Sequence, residues 1–263
     1  MEQFETVDQA VDFIASAPCL EYISLWGVSC SESCNYSLKA VKAVAPPLRE
    51  IKIEPSPLVV CLMDWFCRCH PTPSVHTLNI DLLDSPIDII PTACNFIRHL
   101  GSSLEHLVIS CSDADHRVQS KCILAPYFIN ANLIILSGAL SKQIDLSQNS
   151  SLRTIFFNGI NLHRSSDLSR SCGWITSIVS TLAHPSLEFV TIAFLGNLEA
   201  IKTYELSGLE NLFLNQPLSD YLTKLRLFIM GSTEESRAAF KNRLPKLDGE
   251  KRLEFSRYVV FIL

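Results

Sequence analysis

A phrase of six residues recurs along the chain and constrains its fold more than any other feature of the sequence. The phrase reads Leu-x-x-Φ-x-Φ, where Φ is an apolar residue, and a proline or a serine usually precedes it. Its copies begin at Leu20, Leu48, Val75, Leu104, Leu152, Leu187 and Leu222. The interval is nearly constant over the first four copies and is longer, but again constant, over the last three. This spacing predicts a repeated structural unit that buries its apolar face against its neighbours.

A weaker copy lies in the longest interval between two phrases. The segment from Ser141 to Asn149 fits Leu-x-x-Leu-x-Leu-x-x-Asn except at its first position. It lies too close to the phrase at Leu152 to be a complete unit. We therefore interpret Ile144–Ser147 as the return segment of one long, irregular repeat.

Stretches with helical spacing of apolar residues lie between the phrases and at the N-terminus. They are Thr6–Ser16, Leu58–Cys69, Ile87–Leu100, Trp174–Leu182 and Thr233–Leu244, the last ended by Pro245. A short strand followed by a helix, repeated along a chain, predicts parallel strands joined by right-handed connections. A doubly wound sheet would show strands that are apolar on both faces. Here the x positions are mostly polar, which predicts one buried and one open face.

The predicted fold is therefore α/β, a leucine-rich-repeat solenoid with a curved parallel sheet and helices on the convex face. Residues 1–17 are expected to form an N-terminal capping helix. Residues 18–263 are expected to form the solenoid as a single domain.

Composition and charge exclude several classes of protein. Apolar residues make up 48% and charged residues 19%, so the chain is too apolar to be disordered. A net charge of −5 and a pI near 5.8 argue against nucleic acid as a partner. The sequence has neither a signal peptide at its acidic start nor an apolar run long enough to span a membrane, so we expect no membrane association. The expected location is cytoplasmic or nuclear.

The ten cysteines allow three interpretations. Cys67-Arg-Cys69-His70, with Cys61 nearby and Cys30-x3-Cys34 as a second half, could supply ligands for zinc. The cysteines could instead be small buried apolar residues in a reducing compartment, or sites of regulatory oxidation. We favour the buried interpretation and expect neither a metal nor a cofactor.

The sequence carries no motif for a known catalytic chemistry. It contains no Gly-x-Ser-x-Gly elbow, Walker loop, Gly-x-Gly-x-x-Gly or His-Glu-x-x-His. Asp113, Asp115 and His116 follow the fourth phrase and resemble a metal or acid–base cluster, but a polar loop after a strand has the same composition. We expect no enzymatic activity.

The chain resembles the leucine-rich-repeat half of F-box proteins, especially the large, divergent fungal group. The resemblance lies in the recurrent phrases, in Ile144-Asp-Leu-Ser-Gln-Asn-Ser-Ser-Leu-Arg-Thr-Ile-Phe-Phe157 with Gly159-Ile-Asn-Leu162, and in Phe240-x-x-Arg-Leu-Pro-Lys-Leu247. It implies a non-enzymatic scaffold for protein–protein interaction, the substrate receptor of a ubiquitin ligase. Residues 1–17 are too short for the F-box itself and lack its Leu-Pro opening. The resemblance therefore implies adaptor binding only if an F-box lies upstream; the alternative is an orphan F-box-like remnant without a ligase role.

The polar positions of the phrase predict the binding surface. Because side chains alternate along a strand, the third, fifth and seventh residues are expected on the open, concave face. The candidate contacts for a protein partner are Tyr22, Trp26, Glu50, Lys52, Asp81, His106, Phe156, Phe189, Lys224, Arg226 and Phe228. Aromatic residues beside arginine are typical of binding hot spots. The alternative is that the rings pack on one another or under a loop, and a register shift of one residue would invert the assignment.

The C-terminus predicts a further strand over Phe255–Leu263, because aromatic and β-branched residues dominate it. A terminal strand leaves an unpaired edge. The strand is therefore expected either to pack against the last helix or to mark where another chain docks.

Overall fold

The structure of the chain is a computed structural model. It describes residues 3–25, 27–30, 44–54, 56–82, 89–110, 143–161, 172–182, 186–195, 197–214, 221–229 and 233–256.

All seven phrases form strands, which begin two residues after the leading apolar residue. The leading residues from Leu48 to Leu222 are at most 1% exposed. The strands of the described chain are β1 (Gln3–Phe4), β2 (Tyr22–Leu25), β3 (Ser29–Cys30), β4 (Glu50–Ile53), β5 (Thr77–Asp81), β6 (His106–Ser110), β7 (Thr154–Asn161), β8 (Phe189–Leu195), β9 (Lys224–Ile229) and β10 (Leu253–Ser256).

Eight of these strands form one sheet in the order β10-β9-β8-β7-β6-β5-β4-β2. Every pair of neighbours in this sheet is parallel. Successive strands of the sheet are neighbours, so the order never reverses as it does in a doubly wound sheet. A second, two-stranded parallel sheet joins β1 to β3. The predicted α/β class with a parallel sheet is confirmed.

The register of the sheet aligns equivalent positions of the phrases. Ile51 lies opposite Leu78, which lies opposite Leu107, and the row continues through Ile155 to Val190. All five are fully buried. Aligned apolar rows of this kind hold adjacent strands in register, because a shift of one residue would expose a whole row.

Helices connect the strands and bury their apolar faces in the same core. They are α1 (Val7–Ala15), α2 (Pro57–Arg68), α3 (Ile89–Leu100), α4 (Gly173–Val179), α5 (Leu198–Thr203), α6 (Ser207–Leu214), α7 (Glu234–Arg243) and α8 (Pro245–Gly249), with a 3-10 turn at Gly101–Ser103. Thr6, Ser56 and Thr233 cap α1, α2 and α7 through their hydroxyl groups. Within the described residues, no helix combines the length and apolar character needed to cross a bilayer.

The end of α7 and the helices before it differ from the expectation. Helix α7 ends at Arg243 as Pro245 predicted, but Pro245 also begins α8. Proline fits the first turn of a helix because its missing amide hydrogen would have no partner there. Helices α5 and α6 follow β8 and were not predicted.

The described residues directly before β7, 144–153, form no strand. Ile144 and Leu146 are buried, and Asn149 is only 1% exposed. The Nδ2 group of Asn149 donates hydrogen bonds to the carbonyl oxygens of Ile97 and Gly101, at 2.9 and 3.0 Å. One side chain thus connects the approach to β7 with the end of α3.

A bulge interrupts the regular alternation of side chains in β7 and β8. The register shifts between Phe157 and Ile160, where Gly159 has a φ of 79°. This left-handed conformation suits glycine, which has no Cβ to clash. Ala193, expected on the open face, is 1% exposed, because β8 buries consecutive residues opposite the bulge.

The last strand begins earlier than predicted. Strand β10 covers Leu253–Ser256, and residues 257–263 of the predicted strand lie outside the described residues. Phe255 packs against the core, with its ring centroid 6.5 Å from that of Phe240 in α7. The described part of the strand therefore packs against α7 through Phe255.

Candidate partner-binding face

The third and fifth positions of the phrases lie side by side across the sheet. We call the surface formed by these rows and by Asp81 and Phe228 the open face. Tyr22 pairs with Glu50, Lys52 with Asn79, and Phe189 with Lys224. The described candidates are thus brought to one face of one sheet: Tyr22, Glu50, Lys52, Asp81, His106, Phe156, Phe189, Lys224, Arg226 and Phe228. Trp26 lies outside the described residues.

Exposure on the open face varies. Tyr22, on the edge strand β2, is 48% exposed, whereas the other described candidates are half-buried. Half-burial is typical of side chains that stand beside cross-strand neighbours with solvent above them. The candidates therefore keep solvent-accessible area and are not fully buried in the core.

Glu54, the residue that follows β4, has a structural role that the sequence did not predict. The carboxylate of Glu54 accepts a hydrogen bond of 2.8 Å from the backbone amide of Gly27. Gly27 has a φ of 65°, a conformation that favours glycine. Glu54 thus stabilises the turn after β2, whereas Glu50 and Asp81 lie on the open face.

Polar pairs cross the middle of the face. Nδ1 of His106 lies 2.8 Å from Oγ1 of Thr154 on the adjacent strand, within hydrogen-bond distance. The side chains of Asn158 and Ser110 are 3.4 Å apart. These pairs fix side chains across β6 and β7, on either side of the half-buried apolar pair Val108 and Phe156.

Charged and aromatic side chains meet at the late end of the face. The guanidinium carbon of Arg226 lies 3.7 Å from the ring centroid of Phe189. Its Nε donates to Oε2 of Glu254 at 3.0 Å, and the Lys224 ammonium donates to the other oxygen of the same carboxylate. We call Phe189, Lys224, Arg226 and Glu254 the Arg226 cluster. For Phe189, one face of the ring is therefore covered by a neighbour within the chain.

Glu254 is the functional candidate that sequence reasoning missed. The hydrogen bond from Lys224 lowers the pKa of its carboxyl, with a smaller contribution from Arg226 and partial opposition from burial. The carboxylate is consequently ionised at neutral pH. The alternation of apolar and polar residues in Leu253-Glu-Phe255 could have indicated its strand. The recurrent phrase is incomplete there, because Glu250 occupies the position of the leading leucine.

The cysteines of the described chain are mostly buried. Burial raises the pKa of the Cys67 thiol to about 12 and that of Cys94 to about 11. A raised pKa keeps sulfur protonated, and the thiolate is the form that binds metals and attacks electrophiles. No group of three potential metal-ligating side chains occurs among the described residues. Cys34 and the cluster Asp113, Asp115 and His116 lie outside them.

A groove lies between α5 and α7, with a volume of about 410 Å³. Leu198, Lys202, Glu235 and Arg243 are among its lining residues, and none of its lining belongs to the open face. The guanidinium of Arg243 donates to the carbonyl oxygens of Lys202 and Tyr204. This arginine therefore satisfies backbone groups at the end of α5.

No protein-family model matches the chain, and comparison with curated proteins finds no significant match.

Proposed function

We propose that the chain is a leucine-rich-repeat solenoid, with a curved sheet and helices on its convex side. Three observations support this proposal. The strands of the main sheet follow chain order, the first four phrases recur at a nearly constant interval, and equivalent positions align across the sheet. Stacked repeats produce these features together, because each unit contacts only its neighbours.

We further propose that it is a non-enzymatic scaffold that binds a protein partner through the open face. The carrying observation is the aligned register of half-buried charged and aromatic side chains along the sheet. By its resemblance to F-box proteins, the proposal extends to substrate recognition for ubiquitination in the cytoplasm or nucleus.

Site-specific photo-crosslinking tests the binding face. A photoreactive amino acid replaces Thr191 on the open face in the full chain, and a matched control carries it at Asn95, an exposed residue of α3. We expect a specific cross-linked protein, identified by mass spectrometry, from position 191 and not from position 95. Equal labelling from both positions would contradict the proposal.

Paired alanine variants test the rings. Phe156→Ala with Phe189→Ala should lower capture of that partner while the far-ultraviolet circular dichroism spectrum stays unchanged. Unchanged capture by a folded variant would reject the role of the rings, whereas loss of the fold would assign them to the core.

The ligase role has its own experiment. A pull-down of the full chain with the adaptor subunit of the ligase should recover the adaptor if the chain is a complete receptor. Partner capture without adaptor binding would keep the binding module and remove the ligase role.

A further inference from the structure

The side chain of Arg226 is held in place on the open face. Its guanidinium lies over the Phe189 ring, and its Nε is bonded to Glu254. Together, the ring contact and the hydrogen bond restrict the rotamers of Arg226. An arginine side chain is otherwise among the most mobile. Binding of a partner to Arg226 consequently costs less side-chain entropy than binding to a freely moving surface arginine.

The terminal amino groups of Arg226 remain available for binding. They form no hydrogen bond with any residue that the structure describes, and the side chain is 40% exposed. A guanidinium presents parallel N–H groups that match the two oxygens of a carboxylate. The pre-positioned side chain thus offers donors for one further acceptor.

The net charge of the Arg226 cluster and the nearby ring of Phe228 indicate the chemical class of such an acceptor. Lys224 and Arg226 carry two positive charges and share one carboxylate, Glu254, so the cluster keeps a net positive charge. Phe228 follows two residues later on the same strand and is half-buried. An anionic group beside an apolar group complements this surface.

We propose that the Arg226 cluster is the anchor for an acidic segment of the protein partner. A partner aspartate or glutamate bonds to the terminal amino groups of Arg226, and an adjacent apolar side chain contacts Phe228 and the free part of the Phe189 ring. This inference rests on the proposed binding function of the open face and names the chemistry of the partner.

A phage-displayed library of short random peptides, selected on the full chain, tests the proposal. Enriched sequences should contain aspartate or glutamate next to a large apolar residue. Synthetic copies, measured by fluorescence anisotropy, should bind Arg226→Gln at least roughly tenfold more weakly, because the variant loses charge-assisted hydrogen bonds to the peptide. Changing the acidic residue of the peptide to its amide should have the same effect.

Two further variants separate specific loss from unfolding. Arg226→Lys keeps the positive charge but removes the paired donors, so its affinity should fall between those of the wild type and Arg226→Gln. Arg68→Gln, an exposed position on α2, should bind as the wild type does. The thermal melting of each variant is followed by circular dichroism.

Several outcomes would overturn the anchor. They are peptides without acidic enrichment, peptides that bind Arg226→Gln as tightly as the wild type, and a library without binders. Peptides that lose affinity on Tyr22→Ala or Lys52→Gln but not on Arg226→Gln would reject the anchor and leave the open face as a binding surface. Failure of the proposed function appears separately, as equal cross-linking from positions 191 and 95.

Discussion

Replacing Asn149 with alanine removes the side-chain amide that ties the approach to β7 to the end of α3. The Nδ2 group donates to the carbonyl oxygens of Ile97 and Gly101 in a site where the residue is 1% exposed. Water cannot easily replace these bonds without opening the site. The substitution therefore destabilises the fold through the loss of buried hydrogen bonds.

The expected loss of stability follows from the two carbonyl oxygens that lose a hydrogen-bond donor. Each lost bond costs about 1 kcal/mol, the lower part of the range for buried groups, because a carbonyl oxygen can keep a second donor. Gly101 keeps a backbone bond of 3.4 Å from Leu104. The truncated volume adds to the cost, whereas removing the buried Oδ1, which has no partner among the described residues, offsets it. We expect a net loss of about 2 kcal/mol in the free energy of unfolding, the sum over the two bonds.

Urea denaturation followed by circular dichroism measures the loss. With a slope of about 3 kcal/mol/M, the midpoint should fall by about 0.7 M. Hydrogen exchange should also quicken at the amide of Leu104, since local opening becomes easier. Gln148→Ala is the matched control, an exposed neighbour on the same turn. A loss below about 0.5 kcal/mol, which is the size expected of an ordinary surface substitution, would refute the reasoning, as would equal losses in the two variants.

Three other predictions concern the core, the charge cluster and the thiols. Phe157→Ala should cost about 3–5 kcal/mol in urea denaturation, because this ring is fully buried; a loss no larger than that of a surface substitution would contradict this. The pKa of Glu254 is lowered from its ordinary value of 4.5, so its stabilisation is present above pH 4.5 and lost as the pH falls through the lowered value. Because its side chain is one third exposed, the effect should be at most about 1 kcal/mol, and Glu254→Gln should remove it from the pH dependence of unfolding. Burial raises the pKa of Cys94 to about 11, so iodoacetamide at mildly alkaline pH should label it far more slowly than exposed Cys19, as mass spectrometry would measure; equal rates would show an accessible thiolate.

The strands and their register were predictable because one physical pattern determines both. A leading apolar residue followed by Φ-x-Φ gives strands whose inward side chains match those of the next copy. Ile51, Leu78 and Leu107 are the fourth residues of three successive copies of the phrase, and they lie opposite one another. The same alternation placed Lys52 and Arg226 on the opposite face.

The features that the sequence did not predict depend on contacts outside the phrase. Glu250 replaces the leading leucine before β10, so the strand was predicted to begin only at Phe255 and Glu254 was left out of it. The burial of Ala193 follows from a bulge in the adjacent strand β7, and the sequence of β8 does not indicate that bulge. The ion pairs of Glu254 with Lys224 and Arg226 can be predicted only when the position of β10 is known. The same holds for the net charge of the cluster.

The strand order of the main sheet makes its length adjustable. Each strand pairs only with the strands that precede and follow it in that sheet. Removing the segment from β5 to the residues before β6 would bring β4 against β6, with Ile51 facing Leu107 and Ile53 facing Ile109. Apolar rows would still meet apolar rows, since every copy of the phrase presents the same pattern. Duplication or loss of one strand-and-helix unit can therefore lengthen or shorten the main sheet in a single genetic step and keep its rows matched, although contacts specific to one unit, such as those of Asn149 with the end of α3, would change.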